Sequence, residues 1–135
     1  MSFDAAIPIR FSDLDAYGHV NHARYLTYCE DHRTRMLGAM GDECDSYLLR
    51  TGFVVAAVEC VYHKPVQLED GDVMTRCTVV SLGRTSVRLR YELEVQGQCV
   101  ASMASTLVLI DEHGPRAMTE IEREWLGRYE GSTSY

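Results

Sequence analysis

The sequence predicts an α+β domain: an antiparallel sheet of five strands wrapped around one long central helix, with a short helix near the end of the chain. Three observations carry this prediction. The apolar residues follow a helical period only once at length, over 22–40. From 53 to 110 the chain reads as successive strands separated by turn formers. The segment Thr119-Glu120-Ile121-Glu122 is a capping box, which opens a second, shorter helix.

Taken in order, Ile7, Ile9 and Phe11 alternate with polar or constrained neighbours and predict a first strand over 7–11. It runs into Ser12-Asp13-Leu14-Asp15-Ala16-Tyr17-Gly18, a loop rich in turn formers. Asn21 then stands as an N-cap for a helix over 22–40. Tyr25, Leu26, Cys29, Met36, Leu37 and Met40 share one face of it, interrupted by Arg33. Asp31 and Arg35 form an i,i+4 pair elsewhere on its surface, and Gly38 and Gly41 mark its end. The next stretch, 53–64, is almost continuously apolar and carries Val54, Val55, Val58 and Val61, which predicts a strand covered on both faces. Residues 73–82 give a further strand, and 87–95 alternate without a fault, as a strand with one wet face does. Gly97-Gln98 is read as a hairpin turn into a last strand over 99–110. These strands are expected to follow one another as antiparallel hairpins. The final helix runs from the capping box to about 128, and 131–135 read as a frayed end.

The 135 residues make a single domain, 1–135, because two units of half that length would have marginal cores. The 13 basic residues against 20 acidic ones leave a net charge of −7, which argues against a nucleic-acid binder. It also gives no basis for binding an anionic membrane surface. No apolar run reaches the length of a membrane span, and 1–10 lack the features of a secretory signal, so a cytoplasmic protein is expected. The five cysteines form no C-x-x-C pair and are expected to be small buried hydrophobes. One helix cannot cover five strands, and the apolar surplus predicts pairing with a second copy.

Reactive side chains are densest at the junction of the first strand and the long helix: Asp13, Asp15, Tyr17, His19, Asn21, His22 and Tyr25. At a helix N-terminus the backbone N–H groups are unpaired and the dipole is positive, so a developing oxyanion is well held there. A neighbouring carboxylate, Asp13 or Asp15, serves as base or nucleophile. Together these suffice for acyl-transfer hydrolysis. The same Asp-x-Asp before a helix also serves plain turn and cap chemistry, and the local spacing by itself does not separate the two. His19-x-x-His22 straddles the turn-to-helix boundary with no third ligand at a helical offset, so no metal is expected. The sequence holds no G-x-S-x-G elbow, no G-x-G-x-x-G and no Walker A loop. Gly83-Arg84-Thr85-Ser86 is a tight turn whose Arg84 is free to meet a phosphate.

The run Arg10-Phe11-Ser12-Asp13-Leu14-Asp15-Ala16-Tyr17-Gly18-His19-Val20-Asn21-His22-Ala23-Arg24-Tyr25 resembles the signature of the 4-hydroxybenzoyl-CoA thioesterase family, among the hotdog-fold acyl-CoA thioesterases. Val58-Glu59-Cys60-Val61-Tyr62-His63-Lys64-Pro65-Val66, Glu69-Asp70-Gly71-Asp72 and Gly83-Arg84-Thr85-Ser86 resemble its later segments, in the same order. The likeness runs from 7 to 110. It implies a hotdog fold, homodimers often paired into homotetramers, and active sites at the dimer interface. It matches the family's catalytic carboxylate to Asp15 and its oxyanion donor to the backbone N–H of His22. The position of His22 is often a second Asn or an aromatic residue in the family. The implied activity is hydrolysis of an acyl-CoA thioester with no cofactor. Asp13, His19, Asn21 and Tyr25 would shape the pocket or orient Asp15, and Arg84 would contact the CoA phosphates. Rival readings are an acyl-acyl carrier protein thioesterase, a non-catalytic acyl-CoA-binding module and a hotdog dehydratase. The intact Asp13-Leu14-Asp15 disfavours the binding module, and the dehydratase lacks an obvious catalytic His.

Overall fold

The computed structural model describes residues 1–44, 46 and 48–131. The chain forms β1 (Phe3–Ile7), α1 (Arg24–Glu43), α2 (Leu48–Thr51), β2 (Phe53–Tyr62), β3 (Val73–Leu82), β4 (Ser86–Val95), β5 (Gln98–Asp111), β6 (Gly114–Pro115) and α3 (Glu120–Gly127). Five strands lie in the order β1-β3-β4-β5-β2, every pairing antiparallel, and the two-residue β6 adds to β5. The curled sheet packs on α1. Met36 and Met40 of the helix are buried, as are Val73, Cys77, Tyr91, Leu93, Leu107 and Leu109 of the sheet. This is the expected α+β hotdog architecture.

Several elements differ from the sequence expectation. The first strand ends at Ile7 instead of beginning there, because Pro8 has no N–H to donate and the chain turns into a 3-10 turn at Phe11–Asp13. Phe3, Ala5 and Ile7 take the register opposite Cys77, Thr75 and Val73. The helix begins two residues later than expected. Asn21 caps the preceding turn instead, its Oδ1 accepting from Ala23 N at 2.9 Å. Gly38 and Gly41 stay helical, and α1 ends at Glu43. The turn between β4 and β5 is centred on Gln96-Gly97, both at positive φ (51° and 77°), one residue earlier than read. The sequence reading lacks α2 and β6.

The strands do not follow one another as hairpins throughout. β3, β4 and β5 form a meander, but β2 pairs with β5 and β1 with β3. β2 is thus an edge strand, and it is exposed along most of its length, against the expectation of two covered faces. Val54, Val55, Val58, Val61 and Tyr62 are each between 44% and 57% exposed.

The closing helix is as expected. Thr119 Oγ1 accepts from Glu122 N at 3.2 Å, and Glu122 Oε1 accepts from Thr119 N at 3.0 Å. Trp125 and Leu126 seal the core beside Phe3. Of the segment expected to fray, 131–135, residues 132–135 lie outside the described residues. Gly131, however, is held, its N–H donating to Val79 O at 3.2 Å.

Candidate active site

Residues 14–20 form a small closed loop. Leu14 and Val20 bridge its base, and Asp15 N donates to His19 O at 2.7 Å. The chain reverses at Gly18, whose φ of 79° a residue with a Cβ adopts only with strain. Inside the loop, Asp15 Oδ1 accepts from Tyr17 N at 2.8 Å and from His19 N at 3.2 Å. Among the described residues Asp15 Oδ2 accepts no hydrogen bond. The carboxylate is therefore oriented through one oxygen and available through the other.

Asp13 does a different job. It is 3% exposed and its Oδ2 accepts from Arg10 N at 3.0 Å and from the Tyr28 hydroxyl at 2.8 Å. Its backbone oxygen accepts from Asn21 N at 2.8 Å. These bonds pin the loop to α1. Asp13 and Asn21 face a separate depression beside Arg24.

The loop is set against the chain leaving β2. Val20 N donates to Val66 O at 2.7 Å, and His19 bridges to Gln67. Between them opens a cleft of about 360 Å³, lined by Asp15, His19, His22 and Tyr25 from the loop and helix side, and by Tyr62, His63 and Lys64 from the β2 side. Tyr25 and Tyr62 meet edge to face at 5.0 Å. Burial raises the pKa of Tyr25 and, aided by a hydrogen bond with Cys60, pushes that of Tyr62 up to about 12. Both are neutral donors at physiological pH. The Tyr62 hydroxyl donates to His22 O at 2.9 Å and the Tyr25 hydroxyl to Lys64 O at 3.5 Å. These bonds fasten the helix start to the end of β2. Ala23, Arg24 and Tyr25 donate their N–H groups to Asn21 Oδ1, Asn21 O and His22 O. The His22 N–H has no acceptor among the described residues, and it stands at the positive end of the helix dipole.

Of the residues singled out in the sequence, the structure brings Asp15, His19, His22 and Tyr25 into one cleft. Asp13 and Asn21 brace it from behind. Arg84 is not part of it: its hairpin joins β3 to β4 where Val87 pairs with Leu107, whereas Tyr62 pairs with Ala101. Six residues of strand separate the two levels, roughly 20 Å at about 3.3 Å per residue. Gly83 makes that hairpin tight, since a Cβ there would lie 2.7 Å from Ser86 Oγ. Lys64, near the end of the second strand, is one of the basic residues the sequence offers for a CoA phosphate, ranked there behind Arg84, and it lines the cleft where Arg84 does not. Sequence reasoning missed Tyr62 as a cleft residue, its segment Val58-Glu59-Cys60-Val61-Tyr62-His63-Lys64-Pro65-Val66 being read as a strand alone. Among the described residues no three His, Cys, Asp or Glu side chains group as metal ligands. No helix among them is long and apolar enough to cross a membrane.

A curled antiparallel sheet around one helix, with this cleft at the helix start, defines a hotdog-fold protein. More particularly, residues 9–128 match the family model of the thioesterase-like superfamily, and the chain belongs to that family of thioester hydrolases. It is 32% identical over 117 residues to the long-chain acyl-CoA thioesterase FadM of Escherichia coli K12, spanning 83% of this chain and 86% of the relative. It is 30% identical over 124 residues to the 1,4-dihydroxy-2-naphthoyl-CoA hydrolase of Synechococcus elongatus, spanning 87% and 90% of the two chains. Among solved structures, a thioesterase from Thermus thermophilus complexed with coenzyme A and zinc superposes with a TM-score of 0.81 at 33% identity, over 96% of this chain and 95% of the other.

Proposed function

We propose that the protein is an acyl-CoA thioesterase and that Asp15 and the His22 N–H are its catalytic groups. The observation that carries this is that both residues line one cleft: a carboxylate with one oxygen bound and one available, and a helix-terminal residue whose N–H has no acceptor among the described residues. The thioester oxygen would accept from the His22 N–H, which polarises the carbonyl. Asp15 Oδ2 then takes a proton from water as the water oxygen bonds to the carbonyl carbon. The tetrahedral oxyanion collapses, the C–S bond breaks, and the thiolate recovers the proton from Asp15. The products are the free acid and CoA thiol. Direct attack by Asp15 Oδ2 through an anhydride is the second route, and single-turnover hydrolysis in ¹⁸O-water tests for it. General-base catalysis leaves no label in Asp15, so label found there identifies an anhydride hydrolysed at the Asp15 carbonyl. Neither route needs a cofactor.

At a net charge of −7 the protein gains nothing from long-range attraction of a polyanionic CoA, so local cations must hold the phosphates. Lys64, on the cleft wall, is the nearest candidate in the same chain. The exposed apolar edge of β2 supports a homodimer formed by antiparallel pairing of β2 with its copy. That pairing sets the Arg84 end of one sheet beside the cleft of the other, which is how Arg84 would reach a bound nucleotide. The setting we infer is cytoplasmic. The test is free-thiol release from a panel of short, long and aromatic acyl-CoAs, with acyl carrier protein thioesters in parallel. Saturable release from at least one acyl-CoA is expected. Release from carrier-protein thioesters alone, or from none, would overturn the reading.

A further inference from the structure

Beyond the cleft, α1 and β2 enclose a second, smaller pocket of about 190 Å³ that the chemistry above does not use. Its walls are apolar: Leu26 and Cys29 from α1, Val55 and Val58 from β2, Met103 from β5. A bulge between Val55 and Ala57 lets Val55 and Val58, three residues apart, line the same side. Two buried polar groups break the apolar lining. Ser105 is 2% exposed and its hydroxyl has no hydrogen-bond partner among the described residues. Arg33 is 8% exposed and forms no ion pair among the described residues. Its neighbours are uncharged: the Phe53 ring 5.2 Å below the guanidinium, and the buried Tyr91 hydroxyl. Glu30 lines the rim, exposed to solvent and not ion-paired with Arg33.

A buried guanidinium without a carboxylate is costly, because desolvation is not offset by an opposite charge. Such a group in a ligand-sized pocket calls for an anion brought from outside. Tyr25, Cys29 and Arg33 follow one another at four-residue steps along one stripe of α1. Arg33 is eleven residues past His22, roughly 16 Å at about 1.5 Å of rise per residue, and its long side chain leans back toward the helix N-terminus. That brings the guanidinium within reach of a medium-length acyl chain whose carbonyl rests at His22. We propose that this pocket receives the far end of the acyl group, and that Arg33 with Ser105 selects chains ending in a carboxylate. The proposal deepens the thioesterase reading and rests on it. The guanidinium would donate charge-assisted N–H bonds to the carboxylate, and the Ser105 hydroxyl would donate to the same group.

The experiment compares the mono-CoA thioester of decanedioic acid with decanoyl-CoA, using the full-length protein. Wild type is expected to favour the dicarboxylic substrate in kcat/KM by about tenfold or more, the range of a charge-assisted hydrogen bond. Arg33→Met should abolish that ratio, Arg33→Lys should keep part of it, and Ser105→Ala should lower it by about threefold. The lysine and alanine variants decide the matter if the methionine variant does not fold. Equal turnover of both substrates by wild type, or equal losses on both in the variants, would overturn the proposal. So would dissociation of Arg33→Met into monomers by light scattering, which would make the missing counter-charge a second copy's. Calorimetric titration with decanoate separates the two readings, since its carboxylate can seat on Arg33 without any thioester. Decanoate binding lost in Arg33→Met, with no thiol released from any substrate, would sink the thioesterase reading and keep the pocket. Thiol release with no decanoate binding would do the reverse.

Discussion

Replacing Asp13 with Asn should damage the fold more than the chemistry. The Asp13 carboxylate is buried, and its Oδ2 accepts two hydrogen bonds, from Arg10 N and from the Tyr28 hydroxyl. Burial and this bond together hold the Tyr28 hydroxyl protonated far above its ordinary range. An Asn amide oxygen in the place of Oδ2 can still accept from both donors, but as a neutral acceptor, so both bonds lose their charge assistance. Each weakened bond costs about 1 kcal/mol, the difference between a charged and a neutral acceptor. The Arg24 contact at 4.0 Å adds little, because the arginine is half exposed. The expected destabilisation is thus about 2 kcal/mol, read as a lower urea midpoint with an unchanged slope. Tyr28→Phe should cost about 1 kcal/mol, and the double variant less than the sum, because one change removes the bond that the other weakens. Turnover by the folded fraction should fall less than in Asp15→Asn. A loss below about 0.5 kcal/mol, or strict additivity with Tyr28→Phe, would refute the assignment of Asp13 as the anchor of the loop.

Three other outcomes are expected. Arg84→Ala should raise KM for acyl-CoA with kcat nearly intact and leave an acyl-pantetheine unaffected; equal losses on both substrates would show that Arg84 supports fold or chemistry instead. Val58→Asp on the exposed β2 should convert a particle near twice 15.3 kDa to the chain mass in light scattering, and a wild-type protein already monomeric at micromolar concentration would contradict the interface. Stability should fall with acid in two stages. Burial lowers the pKa of His32 against the opposing bond to Phe3 O, so the unfolded chain takes up the proton first and stability declines as pH drops below about 6.5. Burial alone would raise the pKa of Glu122, but Arg116, Thr119 N and Ser46 outweigh it and hold it at about 2. Its contribution, present above about 4.5, is lost between there and about 2. Denaturation midpoints across pH check both, and Glu122→Gln should remove the lower stage.

What the sequence makes legible is local. The Thr119 capping box needs only its own four residues, and it forms as read. The alternation in β3, β4 and β5 reflects one buried face, and each of these strands falls within a residue or two of its expected bounds. The Asp15 loop stands out because its carboxylates, glycine and helix start are contiguous in sequence. Non-local pairing is not legible. Nothing near Phe53 says that β2 will lie beyond β5, and its apolar run predicts double cover where a single chain offers it one neighbouring strand. Tyr62 and Lys64 reach the cleft only through that topology, 40 residues from His22 in the case of Tyr62. Hairpin geometry alone puts Arg84 at a rim, and the pairing of β4 with β5 sets that hairpin at the other end of the sheet. Proline and side-chain capping decide the remaining shifts, at Pro8 and Asn21.

The central claim is that Asp15 performs the chemistry, and the most direct measurement is kcat for thiol release by Asp15→Asn beside wild type. The amide oxygen can still accept from Tyr17 N and His19 N, so the loop should keep its shape while the available oxygen becomes an NH₂ that neither attacks nor takes a proton. A fall of at least about 100-fold in kcat is expected, with the urea midpoint within error of wild type. A variant that folds and turns over at near wild-type rate would contradict the account.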